Sequence, residues 1–166
     1  MKNNYKNQKG FGLIEMIIAV VIVGIGIVGI FSMISRFSEQ SKTIRDNFVA
    51  SYLSQEGIEI VKNIRDINKI NGNTWTSGLA NCHEGCEADY TSNSLVSATG
   101  KFFYIDNSTG RYSYDSTGDK IKTYYKRRIT LAQNGDELDI MVDIYWEDKS
   151  TTTRSKIYNW EPWNQD

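Results

Sequence analysis

The residue in this sequence with the most unusual chemistry is a glutamate inside an apolar run. After Lys9 the chain is apolar as far as Ile34, except for Glu15 and Ser32. Acidic side chains are costly in the hydrocarbon core of a membrane, and those found there usually have a polar or charged partner. We therefore expect Glu15 to form one half of an ion pair.

The run that contains this acid is long enough to cross a membrane as one helix. Residues 16–31 include no polar side chain, and about 20 helical residues at about 1.5 Å each span the hydrocarbon core. Three lysines and no acid lie in residues 1–10. This charge bias predicts a single pass through the cytoplasmic membrane, with the N-terminus in the cytoplasm and the rest outside.

Other classes of segment share some of these features. A secretory signal peptide would end in an A-x-A-like site, which is missing, and Glu15 interrupts the start of the apolar run. Residues 24–29 match G-x-G-x-x-G, but no strand precedes them and no βαβ unit surrounds them, so a nucleotide site is rejected. An uncleaved single-span anchor needs no motif, and it stays open as an alternative.

The residues that lead up to Glu15 resemble a known sequence motif. The segment KGFGLIE, residues 9–15, resembles the cleavage and methylation signature of type IV prepilins and pseudopilins, with Gly12 where the usual form has Thr. The resemblance implies that a prepilin peptidase/methyltransferase cuts between Gly10 and Phe11 and methylates the nitrogen of Phe11. It also implies that Glu15 acts in assembly with other pilin subunits through the N-terminal helix.

Elementary electrostatics supports this interpretation. A cut after Gly10 would leave a positively charged α-amine on Phe11 at the head of the helix. Glu15 would lie just over one turn further on, where the helix dipole also favours an anion. The amine of an incoming subunit could pair with the Glu15 of a neighbour, so that neither charge stays alone in lipid, and such buried pairs can specify alignment.

Beyond the anchor, apolar residues keep a helical spacing as far as residue 70. They recur mostly at intervals of three, four or seven: Phe37, Ile44, Phe48, Leu53, Ile60, Val61, Ile64, Ile67 and Ile70. Gly72 can adopt the left-handed backbone conformation that commonly ends a helix. We predict one helix over about 11–70, with a transmembrane or filament-core part at 11–34 and an amphipathic part at 35–71.

Two short stretches extend the family resemblance toward its minor members. Residues 26–30 (GIVGI) are similar to PilV-type and GspI-type minor subunits, and residues 50–59 (ASYLSQEGIE) are similar to a run found in minor prepilins. The second stretch contains two acids, Glu56 and Glu59, which could suggest catalysis. Their spacing is more typical of a solvated helix face, and we interpret them so.

The only two cysteines of the chain lie in residues 72–100, which we expect to be loop-like. Cys82 and Cys86 flank His83, the only histidine. Outside the cytoplasm an isolated close pair favours a disulfide. Zinc with His83 as third ligand is the alternative, but no second cluster completes four ligands. We expect no metal and no cofactor.

Residues 101–166 predict an antiparallel sheet. Hairpin signals lie at residues 107–110 and at Asn134-Gly135, and the last strand is predicted over residues 151–160, at the edge. The turn at residues 115–119 is rich in oxygen ligands, but it lacks a downstream bidentate Glu, which favours a plain turn over a calcium loop. The predicted fold class is therefore α+β, with the C-terminal half of the helix packed on this sheet, and the resemblance implies the type IV pilin fold.

The register of the main hairpin follows from its turn. If Asn134-Gly135 forms a two-residue type I′ loop, Gln133 pairs with Asp136. Lys126 then lies opposite Asp143, and Lys122 opposite Glu147. The same register puts Arg127 on the apolar side, opposite Val142, where it needs a bulge or a buried partner.

Charge and motifs together predict a structural protein. The chain has a net charge of −1, and without residues 1–10 it has 16 basic and 20 acidic residues, net −4. Such a balance leaves no nucleic-acid footprint. The predicted cross-strand acids would also neutralise part of the patch formed by Lys122, Lys126 and Arg128, so we do not expect DNA as a partner. We expect no enzyme activity.

The function predicted is a minor pilin or pseudopilin subunit of a type IV pilus or a type II secretion-like pseudopilus. The alternatives are a membrane-anchored binding module and a DNA-uptake pseudopilin.

Overall fold

A computed structural model describes residues 12–79 and 82–160 of the chain. These residues form one α-helix followed by seven β-strands. The elements are α1 (Leu13–Ile70), β1 (Cys86–Glu87), β2 (Val96–Ser97), β3 (Phe102–Asp106), β4 (Tyr112–Ser113), β5 (Lys120–Asn134), β6 (Glu137–Trp146) and β7 (Lys149–Tyr158). A long N-terminal helix before an antiparallel sheet confirms the predicted α+β class and is consistent with the type IV pilin fold. The chain divides into two compact units, Met1–Arg45 and Asp46–Asp166.

The second unit is built around β5, the longest strand. Strand β6 pairs with one edge of β5, and β3 and β1 pair with the other. Among the described residues β7 pairs only with β6, which agrees with the predicted edge position. Strands β3 and β4 form the hairpin predicted at residues 107–110. The segment 72–100, predicted to be loop-like, contributes the short strands β1 and β2.

The core of this unit lies between the sheet and one face of α1. Alternate side chains of β6 are buried, as a strand with one covered face requires. Leu53, Val61 and Ile64 of the predicted apolar stripe are buried against them. Gly57 allows a close approach, since a Cβ there would meet the side chains of Arg127 and Val142 at 3.1 Å.

Part of the predicted helical stripe is not buried. Phe37, Ile44 and Phe48 are each about 70% exposed or more (70%, 69% and 75%), and Ile67 and Ile70 are also exposed. The buried face instead includes small and polar residues that hydrophobic spacing does not single out: Asp46, Ala50, Ser54, Gly57 and Asn68. Apolar spacing identified the helix, but it did not identify the face that meets the sheet.

The main hairpin has a different register from the predicted one. Asn134 pairs with Glu137, so the loop residues are Gly135 and Asp136. Gly135 has a φ of 62°, and Asp136 is not among the residues of positive φ, a pattern typical of a type II′ turn with glycine first rather than type I′. The backbone N–H of Asn159 donates to Asp136 O at 2.9 Å and fixes this turn.

This register moves each partner by two residues and leaves the two faces of the sheet unchanged. Lys126 lies opposite Tyr145, not Asp143, and Arg127 lies opposite Ile144, not Val142. Lys122 pairs with Tyr104 on β3, not with Glu147. The predicted neutralisation of the two lysines by cross-strand acids is therefore wrong.

Arg127 is a buried cation that joins the sheet to the helix. Its Nη1 donates to Leu53 O and to Glu56 Oε2, both at 2.9 Å, and its Nη2 donates to Ala88 O. The guanidinium also lies over the ring of Phe103, 4.9 Å from the centroid. The side chain of Glu56 is only 17% exposed, so its interpretation as part of a solvated face is wrong. Glu59, 69% exposed and paired with Lys62, fits that interpretation.

We predict that Glu56→Gln lowers the free energy of unfolding by about 2 kcal/mol, because it leaves the buried charge of Arg127 without an anion. Glu59→Gln is the matched control on the same helix, and it should change the free energy of unfolding by less than about 0.5 kcal/mol. Urea unfolding of the full chain in detergent micelles, followed by tryptophan fluorescence, measures both. Equal effects of the two substitutions would contradict a structural role for the Arg127–Glu56 pair.

Candidate functional site

The candidate site is the start of α1, where Glu15 lies in the first turn. The backbone N–H of Met16 donates to Gly12 O at 3.3 Å, so helical hydrogen bonding begins at Gly12. The first N–H groups of a helix have no partner within it, and they create a positive end that favours an anion. Gly10 and Phe11, the predicted cleavage positions, lie outside the described residues.

Glycine at position 12 leaves room for the carboxylate. A Cβ there would come within contact of Glu15 Oε2, and the carboxyl carbon would be 3.3 Å away. The side chain of Glu15 therefore folds back toward the N-terminal end of the helix. The atoms that a larger residue would meet belong to the end of a flexible side chain, so the Thr of the usual family form could be accommodated by rotation of Glu15.

The helix surface around this acid is almost entirely apolar. Large apolar side chains from Leu13 to Ile34 are all exposed, at 49% or more. This segment is long and apolar enough to cross a membrane. Among the described residues, a Cβ added at Gly24, Gly26 or Gly29 would have no neighbour within 4 Å apart from the adjoining turns of α1. Another helix could therefore approach closely there.

The cysteine pair is a disulfide in the structure, with the two Cα atoms 5.3 Å apart. Cys86 pairs with Ile129 on β5, and the backbone N–H of Leu131 donates to Cys82 O at 3.2 Å. The bridge therefore fastens the loop before β1 to the centre of the sheet. Within residues 12–79 and 82–160, no three His, Cys, Asp or Glu side chains are grouped so that they could hold a metal ion.

The oxygen-rich turn after β4 is occupied by its own contacts. Asp115 accepts hydrogen bonds from the N–H and hydroxyl of Thr117 and forms an ion pair with Lys120. Lys120 and Thr117 lower the pKa of Asp115 to about 2. These contacts hold the Asp115 carboxylate within the turn itself.

Three buried acids among the described residues were not predicted from the sequence, Asp46, Glu87 and Asp89, and Glu87 is the most deeply buried. Glu87 is fully buried, and its Oε1 accepts the backbone N–H groups of Thr99, Gly100 and Lys101 at 2.6–3.0 Å. A carboxylate that receives several N–H groups in this way can remain buried. Neither spacing nor composition marked Glu87, because its partners are backbone groups more than ten residues away.

Comparison with protein families gives one match at this site. Residues 5–31 match the family model described as the prokaryotic N-terminal methylation motif, and this segment includes Gly10, Phe11 and Glu15. The match supports the prepilin and pseudopilin family, whose members are structural subunits, and a type IV pilin-like substrate of prepilin peptidase. No curated protein and no solved structure matches the chain.

We predict that iodoacetamide labels Cys82 and Cys86 of the isolated protein only after reduction, because both sulfurs are in the disulfide. Reduction should lower the free energy of unfolding by about 2 kcal/mol, the value expected for so short a loop. Mass spectrometry of the alkylated chain and urea unfolding measure the two effects. Labelling after treatment with a zinc chelator alone would contradict the disulfide and favour the metal alternative.

Proposed function

We propose that this chain is a minor type IV pilin or a pseudopilin: a structural subunit that is cut between Gly10 and Phe11 and then joins a filament. The observation that carries the proposal is Glu15, an acid at the head of an uncovered apolar helix and within a matched methylation motif. A minor position is favoured by the resemblance of residues 26–30 and 50–59 to minor subunits.

Glu15 is proposed to select the register of assembly. The carboxylate lies on the first turn of α1, and Gly12 leaves it room to turn toward the helix N-terminus. The new α-amine of a second subunit is a cation of the right charge for this position. Because both charges are costly in lipid, the alignment that brings them together is favoured over neighbouring alignments.

The apolar surface of α1 would place the subunit in the membrane before assembly and in the filament core after it. Before assembly, lipid would cover the segment from Leu13 to Ile34, with the N-terminus in the cytoplasm as the basic leader requires. After assembly, helices of other subunits would cover the same surface, and the three exposed glycines would let them pack closely. The β-sheet unit would then lie outside the membrane, on a pilus or a pseudopilus.

We predict that the mature protein in the membrane fraction begins at N-methylated Phe11. N-terminal mass spectrometry of membranes from cells with and without prepilin peptidase measures this. With the peptidase, the first ten residues should be missing and one methyl group should be present on the new terminus. A chain that begins at Met1 in both strains would rule out a processed pilin and leave the uncleaved anchor.

We predict that Glu15→Val prevents incorporation into filaments and leaves membrane insertion and cleavage intact, because an aliphatic side chain suits lipid and cannot pair with an amine. Immunoblots of membrane and sheared filament fractions measure both steps. Ile14→Val, one residue away, is the control and should behave like the wild type. If Glu15→Val enters filaments as efficiently as the wild type, the proposed pairing is wrong, and a membrane-anchored binding module becomes the better explanation.

A further inference from the structure

Strand β7 has one long side without a partner in the described sheet. It pairs with β6 over all of Lys149–Tyr158, and within residues 12–79 and 82–160 no backbone group outside β6 bonds to it. Proteins usually keep such edges short or cover them, because a row of unpaired N–H and C=O groups can recruit another strand. The open side of β7 is therefore a template on which one further strand can form.

A hydrogen bond just beyond the strand shows which backbone groups face this open side. The N–H of Asn159 donates to Asp136 O at 2.9 Å, so Asn159 faces β6. In an antiparallel ladder, residues that bond to one neighbour alternate with residues that face the other side. The odd-numbered residues of β7 therefore bond to β6. The even-numbered residues face the open side, and we call them the β7 edge: Ser150, Thr152, Arg154, Lys156 and Tyr158.

The side chains of the β7 edge lie together on the outer face of the sheet, since alternate side chains of a strand share a face. All five are exposed. Thr151, Thr153 and Ser155, which alternate with them, are half-buried, and Ile157 is buried. A strand added beside β7 would therefore meet exposed side chains on one face and small hydroxyl side chains on the other.

The β7 edge carries positive charge and no acid. Lys156 forms an ion pair with Glu137, and its Nζ lies 3.4 Å from Asp139 Oδ1. Arg154 lies opposite Met141 on β6, and no Asp or Glu of the described residues is within ion-pair distance of it. A residue directly opposite on an added strand would have its Cβ about 5 Å away, so the guanidinium can pair with an acid there.

A second copy of this chain is poorly suited to the same edge. If two β7 edges paired antiparallel about Arg154, this residue would face Arg154 of the copy. If they paired about Ser155, it would face Lys156. Like charges directly opposite each other destabilise a strand pair. The basic side chains therefore disfavour self-association, as charges on edge strands commonly do, and select a partner of opposite charge.

We propose that the β7 edge binds an extended acidic segment of another protein, which adds to the sheet as one further strand. Main-chain hydrogen bonds to the edge supply affinity, and an acid opposite Arg154 supplies specificity. On the inner face, the small side chains of Thr151 and Thr153 suit β-branched apolar residues, which are enriched in strands. The partner segment thus alternates acidic and apolar residues.

This interaction goes beyond the structural role proposed above. It uses the β-sheet unit and depends neither on cleavage after Gly10 nor on Glu15. A β7 edge that binds no acidic strand would leave the proposed role as a pilin subunit intact, and a chain that is not cleaved could still bind one. The two proposals therefore fail independently.

We predict that a fluorescein-labelled octapeptide of alternating Val and Glu binds the full chain in detergent micelles, and that Arg154→Gln weakens this binding about fivefold. The matched control is Arg128→Gln, which removes the same charge from an exposed position on β5 and should change the affinity by less than about twofold. An octapeptide of alternating Val and Lys should bind about tenfold more weakly than the acidic one. Fluorescence anisotropy at low salt measures all three. Equal losses in the two variants, or equal binding of the two peptides, would overturn the proposal.

A proline substitution tests the main-chain contacts. The N–H of Thr152 faces the open side, so Thr152→Pro removes no bond to β6, and edge strands tolerate proline at such positions. It should weaken binding of the acidic octapeptide at least about tenfold. Thr152→Ala loses the same hydroxyl and keeps the N–H, so it should bind within about twofold of the wild type. Equal binding by the two variants would show that no strand is added.

Amide hydrogen exchange gives a readout on the wild-type chain, which decides the matter if Thr152→Pro does not give the wild-type circular dichroism spectrum. In NMR spectra of the full chain in micelles, the acidic octapeptide should slow exchange at Thr152, Arg154 and Lys156. Exchange at Thr151 and Thr153, which already bond to β6, should stay the same. Unchanged exchange at the three edge amides would refute an added strand. Slow exchange there without peptide, at high protein concentration, would assign the edge to a second copy and also refute the proposal.

Discussion

An apolar helix surface that the described chain does not cover is the constraint on which the function of this protein depends. The side chains from Leu13 to Ile34 are exposed, and burial of so much apolar surface is strongly favourable. The proposed function supplies two environments for this burial, lipid before assembly and the helices of other subunits after it. Glu15 is the only polar side chain near the start of this surface. In the proposed assembly, Glu15 would give direction and register to an association that apolar contact alone would leave free to slide.

A second interaction holds α1 to the sheet. Apolar contacts between Leu53, Val61 and the sheet are not directional, whereas the buried guanidinium of Arg127 has fixed partners on the helix and on the loop that contains Ala88. Buried ion pairs are weak evidence for stability but good evidence for a defined alignment. Gly57 lets the helix come close enough for this contact, so one glycine and one charge together determine how the two layers pack.

The long helix, the disulfide and the positions of the hairpins could be predicted because each depends on residues close in sequence. The predictions that failed concern contacts between distant residues. Glu56 seemed to belong to a solvated face because its partner is 71 residues away. The predicted register of β5 and β6 was wrong by two residues because the turn residues are Gly135 and Asp136, and Asn159, beyond the next strand, donates to Asp136 O. The assignment of Lys122 and Lys126 to acidic partners failed for the same reason.

By itself the sequence determined that this protein has a membrane-length N-terminal helix with one acid near its start and a prepilin-like junction before it. These are local properties, since hydropathy, helical period and a cleavage motif are all read along a continuous stretch. Only the tertiary structure decided which face of α1 is buried, what neutralises Arg127 and how β5 pairs with β3 and β6. Those outcomes depend on strand register and on backbone groups brought together from distant parts of the chain, and no local pattern encodes them.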